Sequence, residues 1–114
     1  MTEPIDDHPI DMAYLETMRS TYGEHNFRRL RQIFLDEMRD RLADLTRAVT
    51  EIDTGTVQRT AHRMVSLLGS FGARRLAEKA REVAACEDEL LVLDLATAFA
   101  TAAQSARTDV LEME

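Results

Sequence analysis

The sequence EHNFRRLRQIFLDEMRDRLADLTRAVTEI, residues 24–52, decides the fold because its apolar residues recur at every third or fourth position. The stripe consists of Phe27, Leu30, Phe34, Met38, Leu42, Leu45, Val49 and Ile52. This spacing puts the apolar side chains on one face of an α-helix and leaves the arginines and carboxylates on the other. The stretch therefore predicts a long amphipathic helix that buries one face against other helices.

Residues that cap or end helices lie on both sides of this stretch and predict two further helices. Asp11 is a suitable N-cap for a short first helix, which Gly23 ends. The sequence DTGT, residues 53–56, closes the long helix and starts a third one. The candidate N-caps of this third helix are Asp53, Thr54 and Thr56.

The last part of the chain predicts two helices with small residues on their inward faces. Gly69 and Gly72, on either side of Phe71, indicate a break before the fourth helix. Its predicted inward residues are Ala73, Leu76, Ala80 and Val83. The fifth helix runs from about Glu89 to Leu111, and its predicted inward residues are Leu91, Leu95, Ala98, Phe99, Ala102 and Ala106. Because alanines allow close approach, this last pair should pack tightly and nearly antiparallel.

These segments predict an all-α fold: an antiparallel, up-down four-helix bundle with an additional short N-terminal helix over one end. Both prolines lie within the first nine residues, so no later helix is broken by proline. An extended coiled coil is the competing architecture, but glycines at 55, 69 and 72 interrupt any sustained heptad. We expect an N-terminal tail over residues 1–10 and one helical domain over residues 11–114.

Charge and composition narrow the classes of partner. The 114 residues carry a net charge of −7, whereas nucleic-acid-binding proteins present clustered positive charge. The acidic N-terminus and the lack of a long apolar run predict a cytoplasmic protein without membrane contact. Cys86 is the only cysteine, and no glycine-rich nucleotide loop or metal motif occurs. A protein partner is favoured, and the charged surface favours a monomer.

One histidine stands out in the sequence TAHRMVSLLGSFGA, residues 60–73. At about 100° per residue, His62 lies roughly 140° from the apolar stripe of the third helix. That stripe consists of Val57, Ala61, Met64, Leu68 and Phe71. An accessible, neutral imidazole offers a lone pair for nucleophilic attack, yet no carboxylate or cysteine lies one turn away to act as a base or ligand. The chemistry of His62 must therefore be completed by a partner, whereas His8 and His25 are interpreted as ordinary surface residues.

The segment AHRMVSLLGSFGARRL resembles the core motif of the histidine-containing phosphotransfer (HPt) family of bacterial phosphorelays. Members show an Ala-His start, an apolar residue two positions later, an apolar-Gly-Ala triplet nine to eleven positions after the histidine, and then a leucine. The matching residues are Ala61, His62, Met64, Phe71, Gly72, Ala73 and Leu76. The family is also a helical bundle of this size with a phenylalanine-bearing second helix.

The resemblance implies that His62 takes a phosphoryl group from the aspartyl phosphate of a receiver domain and passes it to another receiver. The implied partners are receiver domains of response regulators or of hybrid sensor kinases. The divalent metal of this reaction is carried by the receiver, so no cofactor is expected on this chain. The resemblance thus implies a phosphorelay intermediate rather than an enzyme with autokinase activity.

The chain departs from the family pattern around the histidine. Most members have lysine three residues later and glycine four residues later, where this chain has Val65 and Ser66. Many also have a glutamine on the next helix, near the position of Ala84. Arg59 or Arg63 is a candidate for the missing positive charge, since a guanidinium matches phosphate oxygens well. The candidate receiver-docking residues are Gln58, Val65, Ser66, Gly69, Leu35 and Arg39.

These departures leave two other functions open beside the working relay. In the first, the chain is a phosphorylation-impaired module that docks receivers without carrying a phosphoryl group. In the second, it is a structural helical bundle unrelated to signalling.

Overall fold

The computed structural model describes residues 10–113, which form five α-helices and no strand. The helices are α1 (Met12–Tyr22), α2 (Glu24–Thr50), α3 (Thr54–Ser70), α4 (Arg74–Ala85) and α5 (Glu89–Leu111). The predicted all-α class is confirmed. Helix α3 packs against α2, α4 and α5, helix α5 also packs against α2 and α4, and α1 lies on α2.

Side-chain caps fix the starts of three helices. The Asp11 carboxylate accepts a hydrogen bond from the Tyr14 N–H at 3.0 Å, as predicted for the first helix. Among the three candidate caps of α3, Asp53 has this role, since its carboxylate accepts from the Thr56 N–H at 3.1 Å. Asp88 caps α5 by accepting from two successive backbone N–H groups. The sequence thus specifies where these helices begin.

The core of α2 follows the predicted stripe except near its ends. Phe27, Phe34, Met38, Leu42 and Leu45 are buried. Leu30 and Ile52 were predicted to be buried with them, but both are exposed, and Val49 is only half-buried. Ile52 lies beyond the end of the helix at Thr50 and has a positive φ of 56°, so it is part of the turn into α3.

The inward face of α5 is shifted from the predicted one. Its buried residues are Val92, Ala96, Phe99, Ala103, Ala106 and Val110. Leu91 and Ala98, both predicted to face inward, are exposed, and Leu95 and Ala102 are half-buried. The helix is apolar on several sides, so spacing alone does not select one face. The large side chains of Phe99 and Val110 are buried in the core, and the alanines on the same face of the helix are buried with them.

Helix α1 is attached to the turn between α3 and α4. The Asp11 N–H donates to the Gly72 carbonyl at 3.0 Å, and the Tyr14 hydroxyl donates to the Ser70 carbonyl at 3.4 Å. Phe71 stacks on Phe34 with ring centroids 4.4 Å apart. Ile10, which the sequence assigns to the N-terminal tail, is fully buried. The rest of that predicted tail, residues 1–9, lies outside the described residues.

Helices α3 and α4 run antiparallel, as the contacts at their two ends show. At one end, the Ala73 N–H donates to the Leu68 carbonyl in a tight turn. At the other end, the side chain of Gln58, near the start of α3, bonds to carbonyls of Val83 and Cys86 at the end of α4. This register determines which residues of α4 lie beside the middle of α3.

Candidate functional site

His62 lies on the exposed face of α3, near the middle of the helix, where its angular position predicts it. The opposite face is buried, and its residues are Val57, Thr60, Ala61, Met64 and Leu68. The imidazole makes no hydrogen bond or ion pair with any residue in the described part of the chain. The ring is therefore held in place only through the backbone of α3, and its nitrogens are open to a partner.

The remaining motif residues are part of the packing that supports this helix. Ala61, Met64, Phe71, Ala73 and Leu76 are all buried. The glycine of the triplet, Gly72, has a φ of +79°, a conformation that side chains with a Cβ rarely adopt. The motif thus combines one exposed reactive side chain with a set of residues that fix the turn after α3.

Gln58, a candidate docking residue, has a structural role instead. Its half-buried amide donates to the carbonyls of Val83 at 3.2 Å, Ala84 at 3.2 Å and Cys86 at 2.6 Å. These are carbonyls at the end of α4, which has no basic residue in its last turn to bind them. Gln58 therefore ties the helix of His62 to the end of α4, and its amide is not free for a receiver.

The two candidate arginines, Arg59 and Arg63, differ in the contacts that their guanidinium groups make. Arg59 donates to the Thr56 hydroxyl at 3.0 Å, and its guanidinium lies beside Gly55, towards the start of α3. Hydrogen bonds from the Thr56 side chain and backbone lower the pKa of the Asp53 carboxyl, with a smaller contribution from the charge of Arg59. Arg59 is thus oriented towards the cap rather than towards His62.

Arg63 is exposed and makes no hydrogen bond or ion pair within residues 10–113. A shallow depression surrounds His62, and it is lined by Gln58, Arg59, His62, Arg63 and Ala84. The methyl side chain of Ala84 is thus part of the wall of this depression.

Beyond His62, the exposed face of α3 carries small side chains. Val65 is half-buried and packs against the core, whereas Ser66 and Gly69 are exposed. A Cβ added at Gly69 would meet no atom within 4 Å. Small residues at these two positions leave space for another protein to approach the ring.

Of the two predicted docking residues on α2, one is buried and the other is exposed but paired. Leu35 is only 2% exposed, and its carbonyl accepts a hydrogen bond from Arg107 of α5 at 3.0 Å. Arg39, one turn further, is exposed but forms ion pairs with Asp36 and Asp40 on α2 itself. The sequence-based prediction placed Leu35 on the surface from its spacing alone. The spacing within α2 does not show whether another helix covers an apolar residue that lies beside the stripe. The structure removes Leu35 from the candidate docking surface.

An apolar groove that the sequence analysis missed lies between α1, α2 and the end of α3. Its volume is about 680 Å³. Tyr22 and Ile33 line it and are each more than half exposed, and Leu67 of α3 forms its far wall. The available signal was Ile33, an apolar residue off the predicted stripe of α2. The groove residues on α3, Leu67 and Ser70, follow His62 by one to two turns.

The charges are also unevenly distributed around this site. Residues 54–77, which include α3 and the first turn of α4, contain four arginines and no acidic residue. The other 90 residues carry 10 basic and 21 acidic side chains. The segment that bears His62 is thus basic within an acidic protein, a pattern that favours an acidic partner surface.

Comparison with protein families assigns the chain. The family model described as Hpt domain matches residues 29–110, which include His62 and every residue of the quoted motif. The chain therefore belongs to the Hpt domain family. Members of this family are phosphotransfer intermediates of phosphorelays that carry phosphoryl groups on histidine and interact with receiver domains. Neither the curated proteins nor the solved structures gave a match.

The described residues were also compared with the requirements of a membrane-spanning helix and of a metal site. Within residues 10–113, no helix combines the length and the apolar character needed to cross a bilayer. The same residues contain no group of three or more histidine, cysteine or carboxylate side chains placed to hold a metal ion.

Proposed function

We propose that His62 accepts a phosphoryl group from the aspartyl phosphate of one receiver domain and relays it to another. The observation that carries this proposal is the exposed, unpartnered imidazole of His62 on a fixed helix in a member of the Hpt domain family. Its basic surroundings and the small residues Ser66 and Gly69 support it further.

The transfer needs one nucleophile in line with the leaving group. The unprotonated ring nitrogen of His62 attacks the phosphorus, a P–N bond forms, and the P–O bond to the receiver aspartate breaks. The bonding pair leaves on the aspartate oxygen, which becomes a carboxylate, while the second ring nitrogen keeps its proton. Phosphoryl transfer depends mainly on alignment and on neutralisation of charge. The receiver supplies the divalent metal in this proposal, and the chain itself holds no cofactor and does not phosphorylate itself from ATP.

The wider setting belongs to the same proposal. Helices α2 to α5 form an up-down bundle, and α1 is the additional helix over one end. The protein acts as a monomer in the bacterial cytoplasm, with receivers of response regulators or hybrid kinases as partners. The antiparallel contacts of α3 with α4 and the acidic net charge support these points.

We propose that the receiver docks on the exposed face of α3 and on the apolar groove beside it. Ser70 lines the groove and lies two turns after His62 and about 80° around α3 from it, so one partner surface can cover both. A helix with an apolar ridge fits a groove lined by Leu30 and Ile33, and Arg29 at its edge suits a carboxylate on that helix. In this proposal the groove replaces Leu35 and Arg39 as the part of the receiver-docking surface that α2 contributes.

Phosphoryl transfer from a phosphorylated receiver tests the proposal directly. Receivers charged with acetyl phosphate and Mg²⁺ are mixed with the wild type, with His62→Gln and with His25→Gln. We expect an acid-labile, base-stable label on the wild type and on His25→Gln, whose histidine is equally exposed on α2. His62→Gln should lose the label and keep the unfolding temperature of the wild type. Labelling that persists in His62→Gln, or labelling from ATP alone, would contradict the proposal.

A docking module without phosphoryl transfer is the second candidate, favoured by the side chains at Val65, Ser66 and Ala84. These positions lack the lysine, glycine and glutamine that many family members have around the histidine. The two functions differ in one result. A wild type that binds receivers but accepts no phosphoryl group, and gains acceptance with Val65→Lys and Ser66→Gly together, would establish the docking module.

A further inference from the structure

A phosphoryl group on His62 needs cations that the helix of His62 supplies only in part. The group adds negative charge and three strong acceptor oxygens to an exposed ring. Val65, one turn after the histidine, is apolar and packs against the core, and Arg59 is oriented towards the cap of α3. On α3 itself, Arg63 is thus the arginine left with no bond inside the described region.

The register between α3 and α4 brings a second free arginine to the level of the ring. The amide of Gln58 bonds to the carbonyls of Val83 and Ala84. Because the two helices are antiparallel, four residues forward on α3 from Gln58 to His62 correspond to four residues back on α4, to Lys79 and Ala80. Ala80 is fully buried, and Lys79 lies about 140° around α4 from Ala84, so Arg81, one residue from this level, is the exposed residue on the side of Ala84.

Arg81 also shares a helix face with the floor of the depression. Ala84 lines the depression around His62, and Arg81 precedes it by three residues, a spacing that puts both on one side of α4. Packed helix axes are about 8–10 Å apart, a gap that an arginine side chain spans. Arg81 makes no hydrogen bond or ion pair with a described residue, so its five donors are available.

We propose that Arg81 binds the phosphoryl oxygens of phosphorylated His62 from the α4 side, while Arg63 binds them from the α3 side. This inference rests on the proposed phosphorylation of His62 and names the residues that hold the product. Small Ala84 leaves the space over which the Arg81 guanidinium reaches the group. Part of the positive charge that many family members place on the helix of the histidine thus comes, in this chain, from the neighbouring helix.

The test compares Arg81→Gln with Lys79→Gln in the full-length chain. Lys79 is exposed on the same helix and equally without a partner among residues 10–113, but it lies about 200° around α4 from Arg81. Both variants remove one positive charge, so a general electrostatic effect would be equal in the two. Each protein is phosphorylated with phosphoramidate, and the lifetime and ³¹P resonance of the phosphohistidine are recorded after the donor is removed.

We expect Arg81→Gln to shorten the phosphohistidine lifetime about fivefold to tenfold and to shift its ³¹P resonance. Lys79→Gln should stay within about twofold of the wild type with an unshifted resonance, and Arg81→Lys should retain most of the lifetime. Equal lifetimes and resonances in Arg81→Gln and Lys79→Gln would overturn the role of Arg81.

A second measurement is independent of phosphorylation. Inorganic phosphate is titrated into the unmodified protein while NMR follows the side-chain Nε–H of the arginines and the ring of His62. We expect the Arg81, Arg63 and His62 signals to shift together with one dissociation constant. A silent Arg81 signal would overturn the inference even where His62 is phosphorylated normally. Conversely, concerted shifts without any phosphohistidine from receiver or phosphoramidate would contradict the proposed function and leave the anion site in place.

Discussion

The two ends of α3 are fixed by different physical means, and His62 lies between them. At the N-terminal end, Asp53 caps the helix and Gln58 binds three carbonyls of α4, so the contacts are polar and partly exposed. At the C-terminal end, Phe71 stacks on Phe34, and Gly72 lies in contact with Tyr14 of α1. The first end is held by polar side chains, and the second by close packing in addition to its hydrogen bonds with Asp11 and Tyr14.

This difference has consequences for tolerance to substitution. A hydrogen bond in a half-exposed position is worth about 1 kcal/mol, since water replaces a lost partner. Close packing around a glycine with positive φ leaves no room for adjustment, so steric overlap and backbone strain add up. We therefore expect the C-terminal end to be the more sensitive of the two, although both hold the same helix.

The largest effect is expected from Gly72→Ala. An added Cβ would lie 2.7 Å from Cδ1 of the Tyr14 ring, and the residue would keep a φ of +79°. Strain and overlap together should lower the free energy of unfolding by about 2–4 kcal/mol. Urea denaturation followed by circular dichroism measures this loss.

Gly69→Ala is the matched control, three residues away in the same segment. Gly69 is inside α3, and a Cβ there would meet nothing within 4 Å. Replacing a helical glycine by alanine should raise the free energy of unfolding by up to about 1 kcal/mol. Similar losses in the two variants would refute the distinction between a packed end and an open surface.

The polar end is tested by Gln58→Ala, for which we expect a smaller loss of about 1–2 kcal/mol. The substitution removes the amide that binds the carbonyls of Val83, Ala84 and Cys86. Gln32→Ala is the control, because the Gln32 amide bonds only to Asp36 on the exposed face of α2. Thermal and urea unfolding of both variants give the comparison. A Gln58→Ala protein as stable as Gln32→Ala would show that the bonds to α4 do not hold this end.

The sequence could predict the features that are local in the chain. The Asp11 cap, the three candidate caps of α3 and the glycine break before α4 follow from preferences within one turn, and the structure selects Asp53 among the three. The exposure of His62 follows from helical periodicity, because one strongly apolar face of α3 leaves no other rotation. The motif that relates the chain to the Hpt domain family is equally local.

Features that depend on a neighbouring helix could not be predicted. Leu35 is buried and not open to a partner, and Phe99 is buried on an apolar, alanine-rich α5 whose spacing does not select one face. The bonds of Gln58 and the level of Arg81 both depend on the register between α3 and α4, which no spacing within one helix encodes. For contacts between helices, the sequence provides only candidate residues. The packing of the helices determines which of these residues are in contact.

The smallest effect concerns the titration of Asp53 at the polar end of α3. The Thr56 hydroxyl and backbone N–H bind the Asp53 carboxylate and hold its pKa below the ordinary value. A carboxyl whose pKa is lower in the folded state stabilises the fold above the pKa of the unfolded chain, near pH 4. This contribution is lost as the pH falls through the lower folded value. Asp53→Asn keeps one oxygen that can accept from the Thr56 N–H, and it removes the charge, the titration and the second oxygen, which accepts from the Thr56 hydroxyl.

We therefore expect the wild type to be slightly more stable than Asp53→Asn at pH 6, and the difference to shrink as the pH falls below about 4. Urea unfolding of the two proteins between pH 2 and pH 7 measures it. The C-terminal end has no carboxylate between residues 54 and 77, so the loss caused by Gly72→Ala should not follow this titration. A stability difference between wild type and Asp53→Asn that is constant over the whole pH range would contradict the lowered pKa.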